Sequence, residues 1–291
     1  MNQSLIHPDA RSHPAFAQTG HRPWPLPAGR WTWRQSWRDL LFAHWPVAVE
    51  AVRPLIPAGL EVQAFSDTSY PVGTTWIAVV PFRMAGVMRR PLPDLPWVSA
   101  FPELNVRVYV TAGGKPGVFF FSLDATNPLV VAAGRTLFHV PSRWADIALR
   151  REGEWIEYEC VRKGGGGRPQ RSQKTSEVCR AVFRGRYRPV SDVYTAAPGT
   201  LEHFLTERYC LYAVAPDGTL SRTEVHHAPW PLQRAEAEIW ENTMTAAGGL
   251  PVSGSPALLH FAKRIDVVVW GSRAVGTKQR VHGPVERQGQ G

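Results

Sequence analysis

Cysteine is scarce. Cys160, Cys179 and Cys210 are the only three in 291 residues, too few for a disulfide framework, and none stands in a C-x-x-C arrangement for redox or metal work. Such usage fits a reducing compartment, so a cytoplasmic location is the expectation. Long apolar runs are missing as well. No stretch reaches the roughly 18 apolar residues of a membrane span, and Met1 to Gly20 mixes His7, Asp9, Arg11 and His13 without an apolar core, so neither membrane association nor secretion is indicated. The Gly-x-x-x-x-Gly-Lys-Ser/Thr phosphate loop, the His-Glu-x-x-His zinc helix and the Gly-x-Ser-x-Gly nucleophile elbow are all absent. No metal site and no cofactor is therefore expected.

Acidic residues are in deficit, 24 against 33 lysines and arginines, and the excess is uneven. Arg162, Lys163, Arg168, Arg171, Lys174, Arg180, Arg184, Arg186 and Arg188 have only Glu177 among them. A nucleic-acid surface would interleave such a patch with aromatics on a recognisable module; only Phe183 and Tyr187 are near, so the segment reads as a solvated strand face and no nucleic-acid partner is expected.

Apolar material, by contrast, is plentiful: 44% of residues are hydrophobic and 12 are Trp, enough for a sizeable core. Residues 1–29 and 276–291 read as disordered tails, one Pro-rich and polar, the other charged and Gly-rich. Between them, 30–275 reads as one domain. Short alternating segments dominate it, at Thr75–Pro81, Leu104–Thr111, Gly117–Asp124, Trp155–Arg162, Arg180–Arg188, Tyr209–Ala215, Thr219–His226 and Ile265–Trp270. That is the pattern of a mainly β barrel or sandwich with few helices. Helices are predicted from the Asn127-Pro128 cap to about Phe138, from Gln233 to about Ala247 before Gly248-Gly249, and over the short Ala48–Leu55.

Pro216-Asp217-Gly218-Thr219 joins two strands, and Asp-Gly favours a two-residue hairpin loop. A turn centred there pairs Tyr209 with His226 and Leu211 with Glu224, which puts Glu207, Tyr209, Glu224 and His226 on one polar face. Tyr209 and His226 are pocket candidates from that face. The adjacent His226 and His227 point to opposite faces and do not chelate one metal.

The most informative strand runs from Phe101 to Val110. Its even positions are aliphatic from Leu104 onward, so Glu103, Asn105, Arg107 and Tyr109 share the other face. In a one-sided sheet this is an ordinary solvent face; in a barrel it lines the lumen, where a carboxylate beside a guanidinium is held as a pair with a shifted pKa. His44, set among apolar residues, reads first as a buried structural histidine and second as a proton shuttle. Trp31, Trp33, Trp37 and Trp45 read as core aromatics before a ligand cage.

Several long runs carry a resemblance: Trp37 to Val47, Phe101 to Val110, Phe119 to Ala125, Glu202 to Tyr209 and His260 to Trp270. Together they resemble the YqjF-like proteins of domain of unknown function 2071, which fall in the acetoacetate decarboxylase-like superfamily. Gly134-Arg135-Thr136-Leu137-Phe138-His139-Val140-Pro141-Ser142-Arg143 is similar to the decarboxylases' Gly-Arg-Glu-x-Trp-Gly-x-Pro-Lys-Lys. Glu103 falls where those enzymes carry an active-site glutamate. The resemblance implies a closed antiparallel barrel with a central cavity, and a homo-oligomer. It also carries a departure. Ser142 occupies the place of the lysine that forms the Schiff base, and Arg143 keeps the neighbouring charge but forms no imine. Lys263 is the alternative amine from another strand.

The implied function is a barrel pocket for a small carboxylate or carbonyl-bearing metabolite, with lyase, dehydratase or hydrolase chemistry lacking a covalent amine. Glu103 and Ser142 are the catalytic candidates; Asn105, Arg107, Arg135, Arg143, Tyr209, His226 and His44 are the binding candidates. The alternative is a binding protein of the same fold without turnover.

Overall fold

The computed structural model describes residues 13–92, 97–163, 180–250 and 252–275. Thirteen strands form one continuous sheet. In chain order they are β1 (Trp33–Ala48), β2 (Glu61–Val62), β3 (Thr74–Arg89), β4 (Phe101–Ala112), β5 (Lys115–Ala125), β6 (Ser142–Glu152), β7 (Trp155–Arg162), β8 (Val182–Pro189), β9 (Cys210–Val214), β10 (Leu220–His227), β11 (Leu232–Asn242), β12 (Leu258–Val269) and β13 (Arg273–Ala274). The helices are α1 (Val49–Val52), α2 (Pro128–Leu137) and α3 (Leu201–Thr206).

The sheet closes twice. β12, β1, β3, β4 and β5 form a shared wall; β6, β7, β8 and β11 complete a nine-stranded barrel on one side of it. On the other side β9 and β10 bridge β5 back to β12. The pairings of β5 with β6 and with β9 are parallel, so the barrel is mixed rather than wholly antiparallel as expected.

Alternation along the wall sorts its side chains between the two compartments. Leu104, Val106 and Val108 of β4 join Leu41, Val79, Tyr158, Phe183 and Phe261 in a filled core inside the nine-stranded barrel. Leu40, Phe42, Phe82, Phe101, Val225 and Trp230 face the opposite way. Two irregularities adjust that sorting. Asp39, with φ 53°, interrupts the alternation of β1, so odd Trp37 and even Phe42 face the same side. On β5 the register shifts between its pairings with Val106 and Arg107, which leaves Leu123 and Phe120 on one face.

The helix over Ala48–Leu55 forms as α1 and a following 3₁₀ turn, and α2 is capped by the Asn127 side chain, which accepts from Leu129 N and Val130 N. The helix expected over Gln233–Ala247 does not form; β11 occupies most of that stretch. Its Ala and Glu residues suit a helix, but they also alternate, and the partner strand decides the outcome. Glu236 and Glu238 face Arg188 and Arg186 across the β11–β8 ladder, while Glu241 meets Arg184.

Those pairs also answer the basic segment. Arg184 additionally bonds Glu159, and Arg162 is mostly buried: it forms a bidentate pair with the fully buried Asp124, at 2.6 and 2.9 Å. Arg168, Arg171 and Lys174 lie outside the described residues, as does the 276–291 segment.

The N-terminal boundary moves. Residues 13–29, expected to be tail, lie against β10 and β12. Phe16 stacks on His226 with ring centroids 5.2 Å apart, and the buried Arg22 donates to Val225 O at 2.5 Å and reaches Glu224 at 3.5 Å. Phe16 and the buried Arg22 thus anchor a segment that is otherwise rich in Pro, Ala and Gly.

Candidate functional site

A cavity of about 440 Å³ opens inside the second compartment, between the shared wall, β9, β10 and α2. Exposed Arg89, Leu92 and Leu129 mark its mouth, and the buried Phe42, Thr206, His227 and Trp230 its floor. Of the sequence-predicted residues, Glu103, Asn105, Arg107 and Ser142 line it. Leu123 pairs with Asn105 on one side and Ser142 on the other, so these three stand at one level of the wall, one two-residue step from Glu103.

Glu103 and Arg107 share the cavity face but do not form the ion pair expected of them. Four residues of strand set their Cα atoms about 13 Å apart. Among the described residues Glu103 has no cation within salt-bridge distance. Burial, with a further contribution from Asp124, pushes its carboxyl up to about 8, so it is protonated at neutral pH.

Arg107 sits near the floor with a second guanidinium that the sequence reading missed, Arg208. They lie 5.8 and 5.1 Å from the Tyr109 ring centroid. Both cap the carbonyl end of α3: Arg107 Nη2 donates to Leu205 O at 3.3 Å and Arg208 Nε to Phe204 O at 2.7 Å. Arg208 also donates to Gln63 Oε1 at 2.8 Å. No carboxylate pairs with either among the described residues, and Arg107 Nε, Arg208 Nη2 and Asn105 Oδ1 are buried without a hydrogen-bond partner. Burial, with the like charge of Arg107, lowers the Arg208 pKa to about 10, which leaves it charged at neutral pH.

His227, also missed, lines the cavity in place of His226. The loop spans Pro216, Asp217 and Gly218, closed by Gly218 N to Ala215 O and Ala215 N to Thr219 O, both 2.9 Å, with Gly218 at φ 83°. This three-residue loop pairs Glu224 with Cys210 rather than Leu211, one residue from the expected register. His226 lies on the face of β10 opposite His227, beneath the 13–29 segment, where burial and the neighbouring Arg22 drop its pKa to about 3. Tyr209 likewise packs outside the lining: its hydroxyl donates to Glu207, and Arg22 stacks 4.7 Å over its ring.

The remaining candidates lie off the lining. Arg135 Nε donates to Ser142 O at 2.8 Å, tying α2 to the start of β6, and Arg143 projects from the face opposite Ser142. His44 lies below the floor and is kept neutral by burial. Tyr109 OH donates to Leu205 O at 2.8 Å, so the 2.7 Å contact from His44 Nε2 is a donation to the Tyr109 oxygen. Lys263 is exposed and pairs at 3.2 Å with Asp39, away from the cavity. Among the described residues no lysine lines the cavity. Of the four N-terminal tryptophans, Trp33 and Trp37 line it, while Trp31 and Trp45 do not. None of the described residues form a cluster suited to a metal ion, and no described helix is long and apolar enough to cross a membrane.

Comparison with known proteins agrees with this architecture. The family model for domain of unknown function 2071, described as an uncharacterized conserved protein, matches residues 34–266. The uncharacterized protein YqjF of Bacillus subtilis is 43% identical over 245 residues, spanning 84% of this chain and 93% of that one. Among solved structures, the enduracididine biosynthesis enzyme MppR with HEPES bound aligns with a TM-score of 0.55 at 14% identity, covering 84% of this chain and 88% of its own. The same enzyme complexed with pyruvate gives 0.53, also at 14%. Acetoacetate decarboxylase from Legionella pneumophila gives 0.54 at 16% identity, with coverages of 88% and 93%. At those identities the likeness concerns the fold. The chain belongs to the domain of unknown function 2071 family, built on the acetoacetate decarboxylase-like barrel.

Proposed function

We propose that the cavity binds a small metabolite bearing a carboxylate or carbonyl group, and that Glu103 exchanges a proton with it. The observation that carries this reading is the pair of guanidiniums of the buried Arg107 and the partly buried Arg208, each with a buried nitrogen lacking a hydrogen-bond partner and neither with a carboxylate partner among the described residues. A buried charge is stable only when it is compensated, and neutral carbonyl caps do this in part. An anion between the two completes the compensation. Glu103, buried and protonated at neutral pH, is suited to donate a proton to a developing oxyanion or to protonate a leaving group. Ser142 and Asn105, at the next level of the wall, supply neutral hydrogen-bonding groups beside it. The chemistry is of the lyase, dehydratase or hydrolase kind, without an imine. The pyruvate complex of MppR is consistent with an oxo-acid ligand on this fold.

A second reading, binding without turnover, is favoured by Ser142 standing where the decarboxylases carry their lysine. One experiment separates the two. Thermal shift against short oxo, hydroxy and unsaturated acids identifies a ligand through the rise in melting temperature that native-state binding produces. NMR of the hit incubated with wild type and with Glu103→Gln then reports conversion. A hit converted only by the wild type establishes the enzyme; a hit that binds both and is converted by neither establishes the binding protein. No hit in the set, or one unaffected by Arg107→Ala, removes the anion pocket.

A further inference from the structure

Resting on that anion-binding reading, we infer that the ligand is an amphipathic monocarboxylate, its head at Arg107 and Arg208 and an apolar chain or ring extending from there past Glu103 to the mouth.

The charged and polar lining groups are not scattered. Arg107, Asn105 and Glu103 follow one another on a single strand at steps of about 6.6 Å, from floor toward mouth, and Phe101 takes the next step. Thr206, Arg208 and His227 gather at the floor with Arg107. Above Glu103 the wall is mainly apolar, with Gln35 and the rim Arg89 its polar members. Phe101 pairs with Met84, Trp37 meets Phe82 with ring centroids 6.0 Å apart, and Trp33 meets Phe138 of the α2 end at 5.8 Å. At the rim, Leu129 is 70% exposed and Leu92 49%. A ligand entering this cavity passes the exposed Arg89 at the rim and a mainly apolar wall before it meets the Arg107 and Arg208 pair at the floor.

Size points the same way. A volume near 440 Å³ falls within the roughly 300–1,000 Å³ of sites that enclose drug-sized ligands, well beyond the needs of a four-carbon acid. A short acid at the floor leaves the aromatic upper wall in contact with water; a longer one buries it. Each methylene that finds the wall tightens binding about fourfold. The apolar upper wall also isolates Glu103 from solvent, the condition that keeps its carboxyl neutral.

The test is calorimetric titration of the full chain with unbranched saturated acids from butanoate to decanoate, each below its micelle concentration, with 3-phenylpropanoate and with octanamide as the uncharged match to octanoate. The expected result is a dissociation constant falling about fourfold per methylene to a plateau, with octanamide at least tenfold weaker than octanoate. Trp33→Ala, at the upper wall, is expected to flatten the chain-length slope. If butanoate and octanoate bind alike, the apolar tail is wrong while the anion pocket stands. Octanamide matching octanoate would remove the anionic head. No binding by any acid would remove the anion pocket itself. The amide comparison needs no variant, so it decides the matter even if Trp33→Ala does not fold.

Discussion

Gly134 lies directly under Ser142: a Cβ on residue 134 would sit 2.3 Å from the Ser142 Oγ and 3.3 Å from its Cβ. The end of α2 and the start of β6 meet here with no room for a methyl group, and the serine that lines the cavity is held against the helix backbone. Gly134→Ala is therefore expected to destabilise the protein by about 1–3 kcal/mol, the usual range for overpacking, and to weaken ligand binding as Ser142 is pushed inward. Denaturant melts and titration of the same variant check both. An unchanged midpoint would show that Ser142 rotates away freely.

The absence of a lysine in the described lining predicts chemical silence toward imine trapping. Incubation with pyruvate or acetoacetate and borohydride is expected to leave the protein mass unchanged. A borohydride-dependent adduct, located by peptide mapping, would bring an amine to the cavity and reverse the interpretation of Ser142.

Glu103 sets a pH dependence whose sign follows from its raised pKa. The folded carboxyl holds its proton up to about pH 8, whereas the unfolded one releases it near the ordinary glutamate value of 4.5. Between those values the native state binds more protons, so stability falls as pH rises across that window and levels off above it. The difference amounts to a few kcal/mol at most. Glu103→Gln keeps the shape without the acid. Its melting temperature relative to wild type is expected to rise from pH 5 to pH 9, and a parallel pair of curves would show that Glu103 titrates normally.

Asp124 and Arg162 form the most buried ion pair of the wall, and breaking it from one side leaves a charge without its partner. Asp124→Asn is expected to destabilise by about 3–5 kcal/mol. The same substitution removes the negative charge that helps to raise Glu103, so if it folds, the Glu103 titration is expected to move downward, read by carboxyl chemical shifts.

His227 and His226 make a paired test of which face of β10 meets the ligand. His227→Gln is expected to weaken ligand binding about tenfold, the worth of one buried polar contact, and His226→Gln to leave it within about twofold. The reverse order would put the ligand on the His226 face.

That pair also shows where the sequence is legible and where it is not. The β4 face was readable because Leu104, Val106 and Val108 alternate without interruption against Glu103, Asn105 and Arg107. Asn127-Pro128 marked α2 because a side-chain cap and a ring-fixed φ are local properties. The β9–β10 hairpin failed by one residue because Asp217-Gly218 serves both a two-residue and a three-residue loop, and alternation alone did not say which face of β10, that of His226 or that of His227, meets the cavity. β1 gave no strand signal because both its faces are buried and Asp39 breaks the alternation midway. β11 misled because its Ala and Glu residues favour a helix in isolation; the arginines of β8 that hold it as a strand are some fifty residues away. That Arg107 and Arg208 meet with no carboxylate partner among the described residues is a property of assembly, invisible to any local pattern.

The shared wall has a consequence for how this family can diversify. Every second residue of β4 is committed to the sealed compartment, where packing fixes the strand; the residues between them face a chamber that contributes little to that packing. The chain can therefore exchange its ligand-facing set while the scaffold's folding instructions stay on the reverse side of the same strands. Innovation and conservation are interleaved one residue apart.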